Sequence, residues 1–280
     1  MAQNQTYTFN NEIDTVEISS IGARIIVLPR EESGIYVEYS NPNDAPEFCA
    51  VLTNKTLSLK EQFSFSIFGN KPSENYTLKV YLPTVCYAKL KVSTASGGAD
   101  IGEVNAKAFE LNTASGDIHI NAFFEDVKLQ SASGNITLSN PTKNIAASLR
   151  TCTVSGSTTV IGYKAEKFSI HSVSGKTSYN SASGAGEISV TSGNIDVTYA
   201  DWSGDLSISA ISGSVSVFLP EAAGMELKFD GLSGCMKTDL GSSKGSFLNL
   251  GKGTTGEFGG ENKHKVNVSL TSGSVTIAQQ

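Results

Sequence analysis

Charge is scarce in this chain: only 17% of its 280 residues are Asp, Glu, Lys or Arg, and the formal net charge is −6. No run of Lys or Arg offers a track for phosphates, so nucleic acid is not an expected partner, and no polybasic segment offers a hold on anionic lipid. No stretch approaches the ~18 consecutive apolar residues of a membrane helix, so no transmembrane segment is expected. The opening "MAQNQTYTFNNEIDTVEI" has neither a positive n-region nor an apolar h-region. No signal peptide is read there, and on sequence alone the chain is expected in the cytoplasm. Sulfur and imidazole are as sparse. Cys49, Cys86, Cys152 and Cys235 share no C-x-x-C spacing, which speaks against a zinc motif and leaves single thiols that read as small core or strand residues. The three histidines, His119, His171 and His264, are too dispersed to pair over a metal.

What the chain does have is β material. Hydrophobic residues make up 39% and recur throughout, which excludes disorder, and 27 Gly against 7 Pro suit many tight turns. Residues 109–120, "FELNTASGDIHI", place alternating apolar residues on both sides of a small-residue corner. Aligned on Gly116, with apolar residues at −7, −5, +2 and +4, the pattern returns at Gly97, Gly134, Gly156, Gly175, Gly193, Gly213, Gly234 and Gly273. The spacings are 19, 18, 22, 19, 18, 20, 21 and 39, the last about two periods. "SASG" at Gly184 is out of register and reads as loop.

A period near 19 is too short for two helices or a four-stranded blade. It fits one coil of a solenoid: strand, Ser-Gly corner, strand, return. Each strand exposes an apolar row that a lone coil cannot bury, and stacking coils ~4.8 Å apart closes those rows into a core. The expected fold is therefore all-β, a single-stranded parallel β-helix or β-roll solenoid with capped ends. It is read as one elongated domain over 1–280. Residues 1–89 form less regular coils and a cap, and 90–280 form regular repeats with a C-terminal capping hairpin.

At the corner, residue −2 (Ala95, Ala114, Ala132, Val154, Val173, Ile211) is expected to turn inward through a bulge. The serine after it is expected to stack on its counterpart in a hydroxyl ladder, and the glycine to take φ > 0. "TVEISSIGARIIVLP" looks like a degenerate coil around Gly22, one residue short. "VYLPTVCYAKLKV" and "VFLPEAAGMELKF" share V-aromatic-L-P and then L-K-apolar at one spacing, each read as strand, proline-bent connection and strand. Residues 41–75 and 241–263 read as excursions. Segment 1–40 and "HKVNVSLTSGSVTIAQQ" are the cap candidates.

"TASGDIHI", "SASGNITL", "SGSVSVFLP" and the closing "VNVSLTSGSVTI" resemble the bacterial putative adhesin family of β-strand repeats, a family of unknown function. The resemblance covers roughly residues 10–280. It implies a single-stranded β-helix or β-roll and a cell-envelope or surface setting. It implies no catalytic residues.

The residues themselves add little chemistry. "SGKTS" lacks the first glycine of a phosphate loop, since Ile170 stands there, and the Gly-rich stretch 241–260 precedes no helix. No cofactor and no metal are expected. Asp100, His119 and Thr137 share position +3, and Asp117, Asn135 and Asn194 share +1. A glycan-cleaving acid pair needs two facing carboxylates ~5–9 Å apart with one desolvated. The expectation is a non-enzymatic binding or scaffold module for a protein or glycan of the cell envelope. The alternative is a carbohydrate-active β-helix enzyme using Asp100 and Asp117 beside His119. Assembly through solenoid ends or faces is a further partner class. Trp202, with Tyr199 beside it, is the candidate aromatic surface contact.

Overall fold

The computed structural model describes residues 3–41, 47–62, 76–239 and 254–279. Among these residues every regular element is a strand. The chain forms two compact units, residues 1–142 and 143–280.

The first unit opens with β1 (Gln3–Phe9), β2 (Thr15–Ser20), β3 (Arg24–Arg30), β4 (Ile35–Asn41), β5 (Glu47–Thr53) and β6 (Thr56–Gln62). It continues with β7 (Thr77–Pro83), β8 (Tyr87–Thr94), β9 (Ala99–Ile101), β10 (Ala106–Thr113), β11 (Ile118–Asn121), β12 (Phe124–Ser131) and β13 (Ile136–Ser139). Sheet A runs β1-β4-β7-β3-β9-β11-β13, and sheet B runs β5-β6-β2-β8-β10-β12. Leu90, Phe109 and Val127 are neighbours across parallel strands of sheet B, as are Ala99, Ile118 and Ile136 in sheet A. These residues are at most 2% exposed. Each large one contributes about 1.5–3 kcal/mol by leaving water.

The second unit contains β14 (Ile145–Thr153), β15 (Ser157–Ile161), β16 (Lys164–Ser172), β17 (Lys176–Ala182), β18 (Ala185–Val190), β19 (Asn194–Tyr199) and β20 (Leu206–Ala210). Then follow β21 (Ser214–Leu219), β22 (Ala223–Gly231), β23 (Cys235–Asp239), β24 (Thr254–Gly259), β25 (Asn262–Leu270) and β26 (Ser274–Gln279). One sheet runs β15-β17-β19-β21-β26-β23 and the other β14-β16-β18-β20-β25-β22-β24.

The corners differ from expectation in three ways. Residue −2 faces solvent: Val154, Val173 and Ile211 are 48%, 46% and 54% exposed. Strand parity simply carries through to −3, where Thr94, Thr113, Ser131, Thr153 and Ser172 are buried. No bulge is needed, because the buried hydroxyl finds its own partner. Thr94, Ser131 and Ser172 donate to the carbonyls of Gly97, Gly134 and Gly175 at 2.9, 2.7 and 3.1 Å. Second, five corner serines bond to backbone rather than to one another. Ser115, Ser133, Ser174, Ser192 and Ser212 donate through Oγ to residue −2 of the adjacent coil at 3.0–3.2 Å. The same carbonyls accept those serines' N–H groups at 2.7–3.0 Å. Third, positive φ occurs at Gly34, Gly162 and Gly184, not at the corner glycines. The corner needs glycine for close approach. A Cβ on Gly116 would strike the carbonyl of Gly97, and one on Gly134 that of Gly116.

Chain order and stacking order part company at one place in each unit. In the first, the β2–β3 coil lies between β6–β7 and β8–β9. Its slot for glycine is filled by Ala23, since Ile25 pairs with Ala99, so the coil is full length rather than one residue short. In the second, β25 and β26 lie between β20–β21 and β22–β23, with Val215 paired to Val275 and Val275 to Met236. The closing segment is thus an inserted coil and not a capping hairpin, and the 39-residue interval before its glycine holds β23, β24 and β25 together with residues 240–253. The two Leu-Pro echoes mark the jumps. β7 to β8 and β21 to β22 each step over an inserted coil with three connecting residues. Three extended residues reach ~10 Å, and two strand spacings are about that distance. Proline ends the strand because it has no N–H for further pairing.

Antiparallel strands close the ends. β4 pairs with β7 and β1 with β4, β5 pairs with β6, and β24 pairs with β22. The β5–β6 hairpin turns on Asn54 and Lys55, with φ of 46° and 62°. It is the described part of the first excursion. Residues 42–46, 63–75 and 240–253 of the two excursions lie outside the described residues. All four cysteines are thiols and none is buried: Cys49, Cys152 and Cys235 are strand rather than core residues, and Cys86 lies in the connection after β7.

At one corner a side chain serves as the acceptor. Ala95 and Ser96 donate their N–H groups to Ser20 and Ile21 at 3.1 and 2.9 Å. Ile21 and Gly22 donate instead to Glu61 Oε2, at 2.6 and 3.4 Å. Glu61 also accepts from the hydroxyls of Ser20 and Tyr76 at 3.1 and 3.3 Å. Glu61→Ala is expected to cost about 2 kcal/mol, by leaving backbone donors short of acceptors. Urea unfolding measures it, with Glu61→Gln falling between. An unshifted midpoint would show that the carboxylate does not close this corner.

Candidate functional site

The outward side chains of sheet A in the first unit form rows across its strands. One row reads Glu38, Lys79, Ile26, Asp100, His119 and Thr137. The next reads Tyr36, Tyr81 and Leu28. It interrupts the polar pattern of the face with a cluster of aromatic and aliphatic side chains.

Tyr36 and Tyr81 stand opposite each other on the antiparallel pair β4–β7, their ring centroids 5.7 Å apart and tilted by 40°. Both are half-buried, and Leu28 beside Tyr81 is 36% exposed. The Arg30 guanidinium lies 5.4 Å from the Tyr36 ring centre, within cation–π range. It also pairs with Glu32, while its Nη1 is buried with no hydrogen-bond partner. The Tyr81 hydroxyl donates to Glu38 at 3.3 Å, and Lys79 pairs with the same carboxylate at 3.8 Å. Burial, and then the Glu38 carboxylate, raise the Tyr81 phenol above its usual range, so it remains a donor. Around an aromatic and aliphatic centre the charges thus alternate in sign.

Asp100 and His119 are cross-strand neighbours on this face, as their shared repeat position predicts. Asp100 is committed to Arg24, whose Nε donates to it at 2.8 Å. Asp117 accepts from the backbone and side-chain amides of Asn135 at 3.3 and 2.9 Å. Neither carboxyl is both desolvated and unpartnered, as a proton-donating acid has to be. Among the described residues no three His, Cys, Asp or Glu side chains group around a metal-sized space. No helix of the described residues is long and apolar enough to cross a membrane.

Trp202 and Tyr199 are not a surface contact. They are 2% and 4% exposed, with ring centroids 4.8 Å apart, and the indole N–H donates to the carbonyl of Gly224 at 2.7 Å. A buried indole needs an acceptor, and a backbone carbonyl supplies it. His171 shares a hydrogen bond with Ser169 at 2.9 Å on the second unit's exposed face. The corner glycines line up in two files. Gly97, Gly116 and Gly134 stack in the first unit, and Gly156, Gly175, Gly193, Gly213, Gly273 and Gly234 in the second.

Sequence reasoning missed the tyrosine pair, because Tyr36 and Tyr81 lie where the repeat is degenerate and their strands pair antiparallel. The signal that could have found it is an aromatic at the outward parity of both "GIYVEYS" and "LKVYLP".

A family model described as Toastrack DUF4097 matches residues 13–278. Among solved structures, a "Putative lipid binding protein" from Parabacteroides distasonis ATCC 8503 is 15% identical, with a TM-score of 0.64 over 99% of this chain and 96% of that one. A "putative adhesin" from the same strain is 13% identical, with a TM-score of 0.44 over 100% and 97%. A "putative cell adhesion protein" from Clostridium sporogenes ATCC 15579 is 14% identical, with a TM-score of 0.34 over 100% of both chains. No curated protein matches the chain.

Proposed function

The chain belongs to the Toastrack DUF4097 family, and within it we propose that this protein is a non-enzymatic binding module that docks a protein partner on the outward face of sheet A in its first unit. The Tyr36–Tyr81 pair carries the reading. Tyr and Arg are enriched where interfaces hold most of their energy, at a centre flanked by a polar rim. Tyr36, Tyr81, Leu28 and Arg30 make such a centre, and Glu38, Lys79, Arg24 and Asp100 make the rim. The seven strands of this sheet span about 29 Å across and the longer ones about 20 Å along. That is roughly 500–600 Å², of the order of the ~800 Å² that each partner buries in a standard interface.

The test is capture from envelope extract followed by calorimetry with the purified partner. Tyr81→Ala is expected to weaken binding about 30-fold, the ~2 kcal/mol of a central aromatic. Asp100→Asn, at the rim, is expected to change it by less than about 3-fold. Equal affinity of wild type and Tyr36→Ala/Tyr81→Ala for that partner would remove the face from consideration.

A further inference from the structure

The second unit carries a different surface, formed by the corner residues at −2 together with the sheet beside them. Ile211 and Leu232 project there, 54% and 76% exposed. Beside them Ser189, Ser209 and Ser269 stand in register on parallel strands, and Asp230 continues the file. The result is an open groove of about 480 Å³ with an apolar wall and a hydroxyl floor. Its size lies within the range of small-ligand sites, ~300–1,000 Å³. The hydroxyls of the three serines make no hydrogen bond to described residues, so their donors and acceptors are available to a ligand.

We infer that this groove binds a linear, uncharged, equatorially linked glycan, lying along the stacking direction. Two properties of the groove select that occupant. The first is its repeat. Polar side chains recur every ~4.8 Å along the floor, one per strand. In an extended chain of equatorially linked pyranoses each ring advances by about one strand spacing, and alternate rings face the same way. Same-side groups therefore recur at about two strand spacings, in step with Ser189 and Ser269. An extended peptide repeats its same-side groups every ~6.7 Å and falls out of step after one strand. The apolar wall suits the C–H faces of the rings. The second property is charge. Asp230 is the one charged side chain among the described residues lining the groove, so a chain of uronic acids meets repulsion there.

The test uses the full chain and calorimetry with three probes: a β-1,4-linked N-acetylglucosamine hexamer, a β-1,4-linked glucose hexamer and a β-1,4-linked glucuronate hexamer. At least one neutral hexamer is expected to bind at least 10-fold more tightly than the acidic one, and more tightly than its own dimer. Ser209→Glu, which places a carboxylate mid-floor on an exposed position, is expected to weaken neutral binding at least 10-fold with the melting curve unchanged. Asp230→Lys is expected to bring glucuronate binding within about 3-fold of the neutral probe. Tyr81→Ala, on the other unit, is expected to leave glycan binding intact. No heat with either neutral hexamer, equal binding of all three, or tighter binding of a Ser/Thr-rich peptide would overturn the assignment.

Discussion

Alanine at Gly116 is expected to lower the thermal midpoint by roughly 5 °C, the consequence of a loss of about 3 kcal/mol in a protein of this size. The added Cβ would lie far inside 3 Å of the Gly97 carbonyl, with the Gly98 nitrogen also in close contact. These atoms are backbone, so no rotamer change relieves the clash. Relief requires the corners to separate, and separation lengthens the 3.0 Å bond from Ser115 N to the Ala95 carbonyl and the 3.2 Å bond from Ser115 Oγ to the same oxygen. The coil above is affected too, because Gly134 packs on Gly116 in the same way. A neighbouring substitution supplies the control. Ala114 faces solvent, and the second unit carries Val154 and Val173 at the same repeat position. Ala114→Val is therefore expected to shift stability by no more than about 0.5 kcal/mol. Differential scanning calorimetry on both variants decides the matter. A Gly116→Ala protein that melts with wild type would mean the corners are not in backbone contact.

The Ala23 coil is consistent with that logic. Among the described corners it is the one whose slot holds a Cβ, and there the N–H groups of Ile21 and Gly22 donate to the Glu61 side chain.

The repeat was legible because its cause is local. Leu90, Val92, Ala99 and Ile101 recur with fixed spacing since each coil must present the same inward row, and the glycine marks where backbones touch. The inward residue at −3 was harder to see. Thr94, Thr113 and Ser131 are polar, and only the hydrogen bond from the hydroxyl to the corner carbonyl makes their burial inexpensive. An apolar residue at −2 looked the better candidate for the interior. Stacking order was hidden for a different reason. Every coil carries the same interlocking pattern, so β25–β26 fits between β20–β21 and β22–β23 as well as beyond them. The sequence does record the event, in the Leu-Pro connections that step over a coil, but their meaning depends on which strands pair. The tyrosine platform was invisible for the same reason, since Tyr36 and Tyr81 meet only through an antiparallel pairing at the end of the unit.

The inserted coil is where the second unit needs reinforcement, and Trp202→Ala is expected to cost about 3–5 kcal/mol there. The residue lies just ahead of β20, and its indole N–H reaches the carbonyl of Gly224 in β22 at 2.7 Å. Between those strands runs β25, whose His264 ring sits 5.6 Å from the indole in an edge-on contact. Asp205, on the same approach to β20, accepts the Lys265 N–H at 2.8 Å. The loop before β20 therefore grips both the inserted strand and the strand beyond it. Truncation removes a large buried ring and also leaves the Gly224 carbonyl without its donor. Hydrogen exchange should report this locally, with amides of β25 and β22 losing protection before those of β16 and β18. Trp202→Phe is expected to recover part of the packing and none of the hydrogen bond. Tyr199→Phe offers the contrast. Its hydroxyl is buried without a partner, so removing it is expected to leave the midpoint unchanged or raise it slightly. If Trp202→Ala were as mild as Tyr199→Phe, or if protection fell evenly across all the strands, the indole would not be what holds the last coil in its out-of-order place.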